Sequence, residues 1–201
     1  MYGIRSVVRL AVLGTCLFSA LSAVASEPAV GERPKRTPDS VFVPTPDDIV
    51  AKMLEVAGVT KDDVIYDPGC GDGRIVIAAA KKYGCRGVGI ELSPKLVRDA
   101  RASAVRNQVE RLVRILEEDI YAVDMSEATV VTLYLLPGMN VKLIPQLQKL
   151  KPGARIVAHD YGVQDRVEEP ATKITINSRE DAVEHYIYLG TAPLKVKTPA
   201  D

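Results

Sequence analysis

The sequence predicts a doubly wound α/β fold in one domain, and three observations support this prediction. Strand-like and helix-like segments alternate from residue 45 onward, a pattern typical of a parallel sheet with helices on both faces. Residues 129–136 are almost continuously apolar, as expected of a central strand that is covered on both sides. Two β-rich segments, 173–176 and 185–189, end the chain as a predicted hairpin.

Composition excludes several classes of protein. The 201 residues are 47% hydrophobic, which suffices for a core and excludes a disordered chain. Lys and Arg together number 26, as do Asp and Glu, so no overall basic field attracts nucleic acid and we expect no nucleic-acid partner. Three cysteines and two histidines predict neither a disulfide scaffold nor a zinc cluster, and no metal site is expected.

The first 25 residues have the pattern of a signal peptide. Arg5 and Arg9 precede an apolar run over 11–25, and the first acidic residue is Glu27. The run is shorter than the ~20 residues that span a bilayer, and it ends in Ala23-Val24-Ala25, a small-x-small cleavage pattern. We therefore expect a processed leader and an exported, periplasmic or membrane-associated protein.

Two other interpretations of residues 1–25 stay open. A short uncleaved anchor is consistent with the basic residues that follow the run, Arg33, Lys35 and Arg36, because basic flanks favour the cytoplasmic side. An organellar transit peptide is consistent with a segment that contains arginine and no acid. Residues 26–44, rich in proline, are predicted to be a linker to a domain over 45–201.

The first predicted helix begins at Thr45-Pro46-Asp47-Asp48. Thr45 is the expected hydroxyl cap, Pro46 the first helical residue, and the two acids lie at the positive end of the helix dipole. Gly58 ends this helix. Its buried face consists of Ile49, Val50, Met53, Leu54 and Ala57.

The remaining elements follow the same alternation. Strands are predicted over 64–66, 87–90, 113–116, 129–136 and 155–158. Between them lie a helix over 74–83 closed by Gly84, a helix that Ser93-Pro94 begins, and a helix over 139–150 that Pro145 must break or kink. Cys70 and Cys85 flank the helix over 74–83, whose length of ~15 Å separates them too widely for a disulfide, so we expect two free thiols.

The loop Asp67-Pro68-Gly69-Cys70-Gly71-Asp72-Gly73 lies between the first predicted strand and the second predicted helix. Three alternate glycines let the backbone approach a ligand where a side chain would collide. A loop at the carboxyl end of a strand that opens a helix is a nucleotide-type site. Asp67 would repel a pyrophosphate and favours a ligand that is cationic or rich in amino donors.

Two further acids follow neighbouring strands. Glu91 ends the next strand, 18 residues past Gly73, where an acid commonly accepts both hydroxyls of a ribose. Asp119 follows the third strand and is the candidate partner for an adenine amino group. The structural alternative for Glu91 is an ordinary acid at the N-terminus of a helix. The structural alternative for Asp119 is an ordinary loop acid.

These residues resemble the motifs of class I S-adenosylmethionine-dependent methyltransferases, with Asp67 to Gly73 as the first motif and Glu91 as the second. The likeness covers residues 41 to about 160. Together with Val43-Pro44-Thr45-Pro46 and the segment 132–137, the chain is similar to a bacterial group related to mitochondrial lysine methyltransferases that act on membrane proteins of energy metabolism.

The resemblance implies a mostly parallel seven-stranded sheet with an antiparallel last strand, and S-adenosylmethionine as cofactor. It implies that Asp67, Gly69, Gly71 and Gly73 border the methionine part, that Glu91 binds the ribose and that Asp119 binds the adenine. Thr45 is assigned to the cofactor-binding residues with them. The implied partner is a methyl acceptor, with a protein lysine as the candidate. The segment 159–165 lacks the tryptophan expected in that group.

Methyl transfer requires alignment of the nucleophile with the methyl group, and a lysine nucleophile must be neutral. The residues at the end of the fourth predicted strand are the candidates for the wall beside the methyl group: Tyr134, Pro137 and Asn140. Tyr134 is equally consistent with a core aromatic. His159 is a candidate base, although a structural histidine is the commoner role.

Two function classes remain at this point: a methyltransferase, and a non-catalytic module of the same fold that only binds the cofactor. The altered segment after Ala158 is the feature that favours the module. A dehydrogenase is disfavoured by Asp67 and by Arg74, which stands where a dinucleotide fingerprint has glycine.

Overall fold

The computed structural model describes residues 37, 40–163, 166–167 and 172–197. The predicted leader over 1–25 and most of the predicted linker lie outside these residues. Within the described part of the chain, no helix has the length and apolar character to cross a membrane.

The described residues form a seven-stranded sheet with helices on both faces. The elements in chain order are α1 (Asp47–Val56), β1 (Val64–Pro68), α2 (Arg74–Tyr83), β2 (Arg86–Glu91), α3 (Pro94–Arg106), β3 (Val113–Glu117), β4 (Val130–Leu133), α4 (Pro137–Leu147), β5 (Arg155–His159), β6 (Thr172–Asn177) and β7 (Glu184–Thr191). The strand order is β3-β2-β1-β4-β5-β7-β6. Strands β1 to β6 share one direction and β7 runs opposite to them, antiparallel to both β5 and β6, which confirms the predicted fold class.

Two apolar clusters cover the two faces of this sheet. One packs α1, α2 and α3 against the sheet around Ile65 and Val130. The other packs α4 against the opposite face around Val131 and Leu133. Strand order reverses between β1 and β4, which are neighbours in the sheet, and ligands of open α/β sheets bind at the carboxyl ends of the strands beside such a reversal.

Several local predictions are confirmed. Helix α2 spans Arg74–Tyr83 and ends at Gly84, which has a left-handed φ of 71°. Ser93 caps α3 by accepting a hydrogen bond from the Leu96 amide. Cys70 and Cys85 are both buried, and both are free thiols.

The structure corrects the predicted start of α1. Pro46, not Thr45, is the capping residue, and the amides of Asp47 and Asp48 donate instead to the Glu180 carboxylate at 3.0 and 3.2 Å. Thr45 is buried, and its hydroxyl oxygen lies 3.2 Å from Nδ1 of His159. The hydroxyl is therefore engaged by a side chain 114 residues away, a contact that a local pattern does not reveal.

The fourth strand and the fourth helix also differ from prediction. Strand β4 is only Val130–Leu133, because the chain leaves the sheet at Tyr134 and Pro137 begins α4 two residues before the predicted start. Pro145 lies inside α4 and does not break it there, since the helix continues to Leu147. Pro145 lacks the amide that would donate to the carbonyl of residue 141, so it removes one helical hydrogen bond two residues before the helix ends.

Candidate active site

The loop between β1 and α2 has the backbone that its glycines predict. Gly69, Gly71 and Gly73 all have left-handed φ angles, of 78°, 56° and 77°, which other residues rarely adopt. The amides of Gly69 and Cys70 donate to the carbonyl of Ile90 at 2.7 and 3.0 Å. The loop is thus fixed to the end of the adjacent strand β2.

Side chains pack directly against two of these glycines. A β-carbon placed on Gly71 would lie 2.1 Å from Cε2 of Phe42, and one on Gly69 would lie 2.7 Å from Cδ2 of Leu135. Phe42 belongs to the extended segment that precedes α1. The lack of a side chain at Gly71 therefore lets the segment 40–43 lie across the loop.

A cavity of about 400 Å³ opens at the carboxyl ends of the parallel strands, a volume within the usual range for small-molecule sites. It is lined by the segment 40–43, by Gly69, and by residues that follow the strands: 91–93, 119–121, 134–136 and Tyr161. The last residues of the predicted linker are thus part of the cavity wall.

The structure brings four of the predicted site residues to this cavity: Gly69, Glu91, Asp119 and Tyr134. The others lie in supporting positions around it. Gly71 and Gly73 shape the loop, while Pro137 is the first, exposed residue of α4. The cofactor-binding and catalytic roles of all these residues stay predictions.

Asp67 is buried beneath the loop rather than exposed in the cavity. Its side chain accepts a hydrogen bond of 2.6 Å from the hydroxyl of Thr132, which lies on β4. Burial raises the pKa of Asp67 from 3.8 to about 7, and the negative charges of Asp72 and Glu91 act in the same direction. Near neutral pH this carboxyl can therefore gain or lose a proton when a cation approaches.

Glu91 holds the loop and the start of α3 together. Its Oε2 accepts from the amide of Gly71 at 3.0 Å, and its Oε1 accepts from the amides of Leu92 and Ser93 at 2.9 and 2.8 Å. A carboxylate accepts about four hydrogen bonds, so capacity for about one more remains, and Glu91 also lines the cavity. Asp119, after β3, accepts from the amide of Tyr121 at 3.0 Å and also lines the cavity.

Asn140 is buried and connects two loops that supply the cavity wall. Its Nδ2 donates to the carbonyl of Leu135 at 3.3 Å and to the carbonyl of Tyr161 at 2.7 Å. Its Oδ1 has no hydrogen-bond partner among the described residues. This geometry fits a positioning role, and Asn140 does not line the cavity.

Tyr134 separates the cavity from His159. The two rings are tilted by 32° with centroids 4.0 Å apart, and burial raises the pKa of Tyr134. His159 is fully buried, and burial lowers its pKa to about 4. A neutral imidazole behind a tyrosine ring fits the structural role better than that of a base in contact with the substrate.

Sequence reasoning missed three aromatic residues of the cavity wall: Phe42, Tyr121 and Tyr161. The chain contains only eight Tyr and two Phe, yet four of these ten rings, including Tyr134, line one cavity. Aromatic residues just after strand ends, in a chain so poor in them, were the signal that could have found Tyr121 and Tyr161.

Asp67→Asn is expected to change the pH dependence of folding stability. The folded protein holds a proton on Asp67 up to about pH 7, whereas the unfolded chain releases it near pH 4. The contribution of Asp67 to the free energy of unfolding is therefore fully present below about pH 4. It is lost as the pH rises to about 7, and the loss is on the order of 4 kcal/mol at most. Asparagine still accepts from Thr132 without ionising, so the variant should lack this loss.

Urea unfolding of the ligand-free protein at pH values on both sides of this window measures the effect. The exposed substitution Asp62→Asn is the control, because the Asp62 carboxylate pairs with Lys61 at the surface. Parallel stability profiles for wild type and Asp67→Asn would contradict the raised pKa.

The cavity suits S-adenosylmethionine, which carries an adenosine, a sulfonium and an amino acid. Its described lining contains two carboxylates and neither Lys nor Arg, so it favours a cationic ligand over a pyrophosphate. The glycine loop follows β1, Glu91 is the last residue of β2, and Asp119 follows β3. Glu91, Asp119 and the loop are the residues that would hold the cofactor.

Comparison with known proteins gives one consistent family. Residues 67–169 match the family model described as the ANTKMT methyltransferase domain. A protein-lysine N-methyltransferase of Saccharolobus islandicus is 40% identical over 154 residues, which are 76% of this chain and 93% of that protein. A human lysine N-methyltransferase of ATP synthase is 35% identical over 118 residues, 58% of this chain, and the match covers half of the human protein.

A solved structure shows the same fold at similar identity. The crystal structure of an RNA methyltransferase from Salinibacter ruber, in complex with S-adenosyl-L-homocysteine, is 43% identical to the chain with a TM-score of 0.69. The match covers 79% of this chain and 98% of that one. These relatives support an enzyme rather than a non-catalytic module. The chain therefore belongs to the ANTKMT methyltransferase domain family and is an S-adenosylmethionine-dependent methyltransferase.

Proposed function

We propose that the methyl acceptor is the ε-amino group of a lysine side chain in a protein. The functions of the relatives support this, because the Saccharolobus protein is a protein-lysine methyltransferase and the animal proteins are lysine methyltransferases of ATP synthase. The chain spans nearly all of the first relative and about half of the others.

The observation that carries the proposal is the chemistry of the cavity wall beside the ends of β4 and β5. Tyr134, Leu136, Met139 and Tyr161 line it with apolar and aromatic surface. Such surroundings disfavour the charged form of an amine and lower its pKa, so they help to deliver the neutral lysine that can act as a nucleophile. Aromatic faces also attract the methylated ammonium product.

The cofactor supplies an electrophilic methyl group on its sulfonium. What the protein must add is alignment and exclusion of water. Phe42 and Leu136 are exposed at 42% and 48% and lie among the cavity residues, where they offer apolar surface to an entering side chain. Asn140 holds together the loops that carry Leu135 and Tyr161, so the wall keeps its shape.

RNA is the second candidate acceptor, because the Salinibacter protein is described as an RNA methyltransferase. RNA binding depends on Lys and Arg contacts with phosphates. The described lining of the cavity contains neither, and it contains the acids Glu91 and Asp119. The formal charge of the chain is zero. These charges favour a cationic acceptor such as lysine over an anionic one.

A labelling experiment separates the two acceptors. The full chain is incubated with methyl-labelled S-adenosylmethionine and an extract of the host cell, which is then divided into protein and RNA. We expect label in protein, insensitive to nuclease, and abolished when the lysines of the extract are first blocked by acetylation. Glu91→Ala, which removes a cavity carboxylate, is the matched enzyme control and should transfer far less.

Label in the RNA fraction that disappears on nuclease treatment would contradict the lysine proposal. Label that stays in protein after the lysines are blocked would contradict it as well, and would indicate another side chain as acceptor.

A further inference from the structure

The two histidines of the chain and an aspartate converge behind the cavity. His159 ends β5, Asp160 follows it, and His185 lies on the neighbouring strand β7. Nε2 of His159 lies 2.9 Å from Nδ1 of His185. Oδ2 of Asp160 lies 3.1 Å from that Nδ1 and 3.4 Å from the His159 Nε2. The sequence contains no other histidine.

These three atoms form a triangle of the size that metal coordination requires. Nitrogen and carboxylate ligands lie ~2.0–2.2 Å from a zinc ion. When the ligand–metal–ligand angle lies between the octahedral and the tetrahedral value, these bond lengths place two ligand atoms ~2.9–3.5 Å apart. The three observed separations, 2.9, 3.1 and 3.4 Å, fall in this interval. The spacing of the three atoms therefore fits one shared ion.

Both histidines are held by a second contact on the far side of the ring. The other nitrogen of His159, Nδ1, lies 3.2 Å from the Thr45 hydroxyl, and that of His185, Nε2, lies 3.0 Å from Oδ2 of Asp181. A carboxylate or hydroxyl on the distal nitrogen is the usual outer partner of a metal-bound histidine, because it fixes the ring and its tautomer.

Asp160 is oriented by the backbone of β7. Its amide donates to the carbonyl of Tyr186 at 2.7 Å, and its Oδ1 accepts from the amide of Tyr186 at 2.9 Å. The residue has a left-handed φ of 54°, which is unfavourable outside glycine, although less so for Asp and Asn. These contacts direct the remaining oxygen, Oδ2, toward the two imidazoles.

Two hydrogen-bond acceptors also face each other in this cluster. The Asp181 carboxylate requires a proton on Nε2 of His185, so a neutral His185 presents a lone pair at Nδ1. That lone pair then faces the Asp160 carboxylate oxygen at 3.1 Å. Two acceptors so close need a shared partner, either the N–H of His159 Nε2, which lies 2.9 Å from the Nδ1 and 3.4 Å from the Asp160 oxygen, or a cation in its place.

We propose that His159, Asp160 and His185 form a binding site for one divalent transition-metal ion, with Zn²⁺ as the representative ion. Two imidazoles and one carboxylate suit zinc and its first-row neighbours, whereas Mg²⁺ and Ca²⁺ prefer sites made of oxygen alone. The side chain of Asp160 is 22% exposed and that of Asp181 39% exposed, so an ion has access and water can complete its coordination.

The site would fasten β5 to β7 directly behind the cavity wall. The ring of His159 stacks on Tyr134, so a fixed His159 would in turn fix that wall. The site is separate from the cofactor cavity, because none of the three ligands lines it. The proposal concerns binding and does not rest on the acceptor proposed above.

The test uses the full chain, purified without a histidine tag and treated with a chelator. Zn²⁺ is titrated by calorimetry, and Co²⁺ is used as a spectroscopic substitute. We expect one equivalent of each ion to bind, no binding of Mg²⁺, and a cobalt spectrum of nitrogen and oxygen ligation without a thiolate charge-transfer band. Asp160→Asn and His185→Ala should each weaken Zn²⁺ binding at least tenfold, and Asp181→Asn about 10–100-fold, as outer-shell changes do. Asp62→Asn should bind as wild type does.

Absence of stoichiometric Zn²⁺ binding by the wild type would overturn the proposal and leave the cluster as a hydrogen-bonded structural group. Binding that is unchanged in Asp160→Asn, or a cobalt spectrum with a thiolate band, would overturn it too. Circular dichroism of each variant identifies any that fail to fold. Asp160→Asn is decisive if His185→Ala fails, because it preserves the size of the side chain.

Discussion

Gly71→Val is expected to abolish measurable binding of S-adenosylmethionine. Gly71 has a left-handed φ of 56°, and a β-carbon there would lie 2.1 Å from the ring of Phe42. The ring would have to move, and with it the segment 40–43 that lines the cavity. The amide of Gly71 would also shift from Glu91, to which it donates at 3.0 Å. Calorimetric titration with the cofactor measures the loss.

Gly153→Val is a matched control for this substitution. Gly153 has a φ of 87°, and a β-carbon there would meet nothing within 4 Å. In both variants a residue with a side chain must adopt a left-handed φ, which costs roughly 1–2 kcal/mol of stability. Only the substitution at Gly71 also places a side chain against Phe42. Loss of binding in both variants to the same degree would indicate general destabilisation, and wild-type affinity in Gly71→Val would refute the placement of the site.

Glu91→Ala is expected to weaken cofactor binding by roughly 1.5–3 kcal/mol, or about 10–150-fold, the range for hydrogen bonds that involve a charged group. Its carboxylate lines the cavity and accepts from three backbone amides. Glu91→Gln keeps the shape of the side chain and one acceptor oxygen, so its loss should be smaller. Calorimetric titration of the three proteins with the cofactor gives the comparison.

A cofactor analogue that lacks the 2′-hydroxyl distinguishes a direct contact from support of the loop. If Glu91 binds the ribose, removal of the hydroxyl should weaken binding to the wild type and have little further effect on Glu91→Ala, because the two changes remove the same interaction. Equal, additive losses would contradict the ribose contact and leave Glu91 as a residue that only holds the loop.

Local sequence signals sufficed for most elements of the fold. Helix α2 begins after the glycine loop and ends at Gly84, both of which are readable from adjacent residues. The same signals failed at Thr45, whose hydroxyl lies beside His159 instead of capping α1. They also overextended β4, because the apolar residues after Leu133 turn out of the sheet and line the cavity.

The candidate site likewise contains residues that local sequence patterns predict and residues that they do not. The motif from Asp67 to Gly73 and the acid Glu91 are defined by short spacings along the chain, and the structure places them together. Phe42 reaches Gly71 from the segment before α1, and His185 reaches His159 across 26 residues through the pairing of β5 with β7. Such contacts leave no periodic trace in the sequence. The count of two histidines therefore predicted no metal site, although strand β7 brings both to one point.

A crystal structure of the full chain with S-adenosyl-L-homocysteine would show whether the cofactor occupies this cavity. We expect the adenosine beside Glu91 and Asp119, the amino-acid part against the loop that contains Gly69 and Gly71, and the sulfur directed toward Tyr134. A ligand bound outside this cavity, or bound within it with the sulfur directed away from Tyr134, would show that the cofactor site lies elsewhere or is oriented differently.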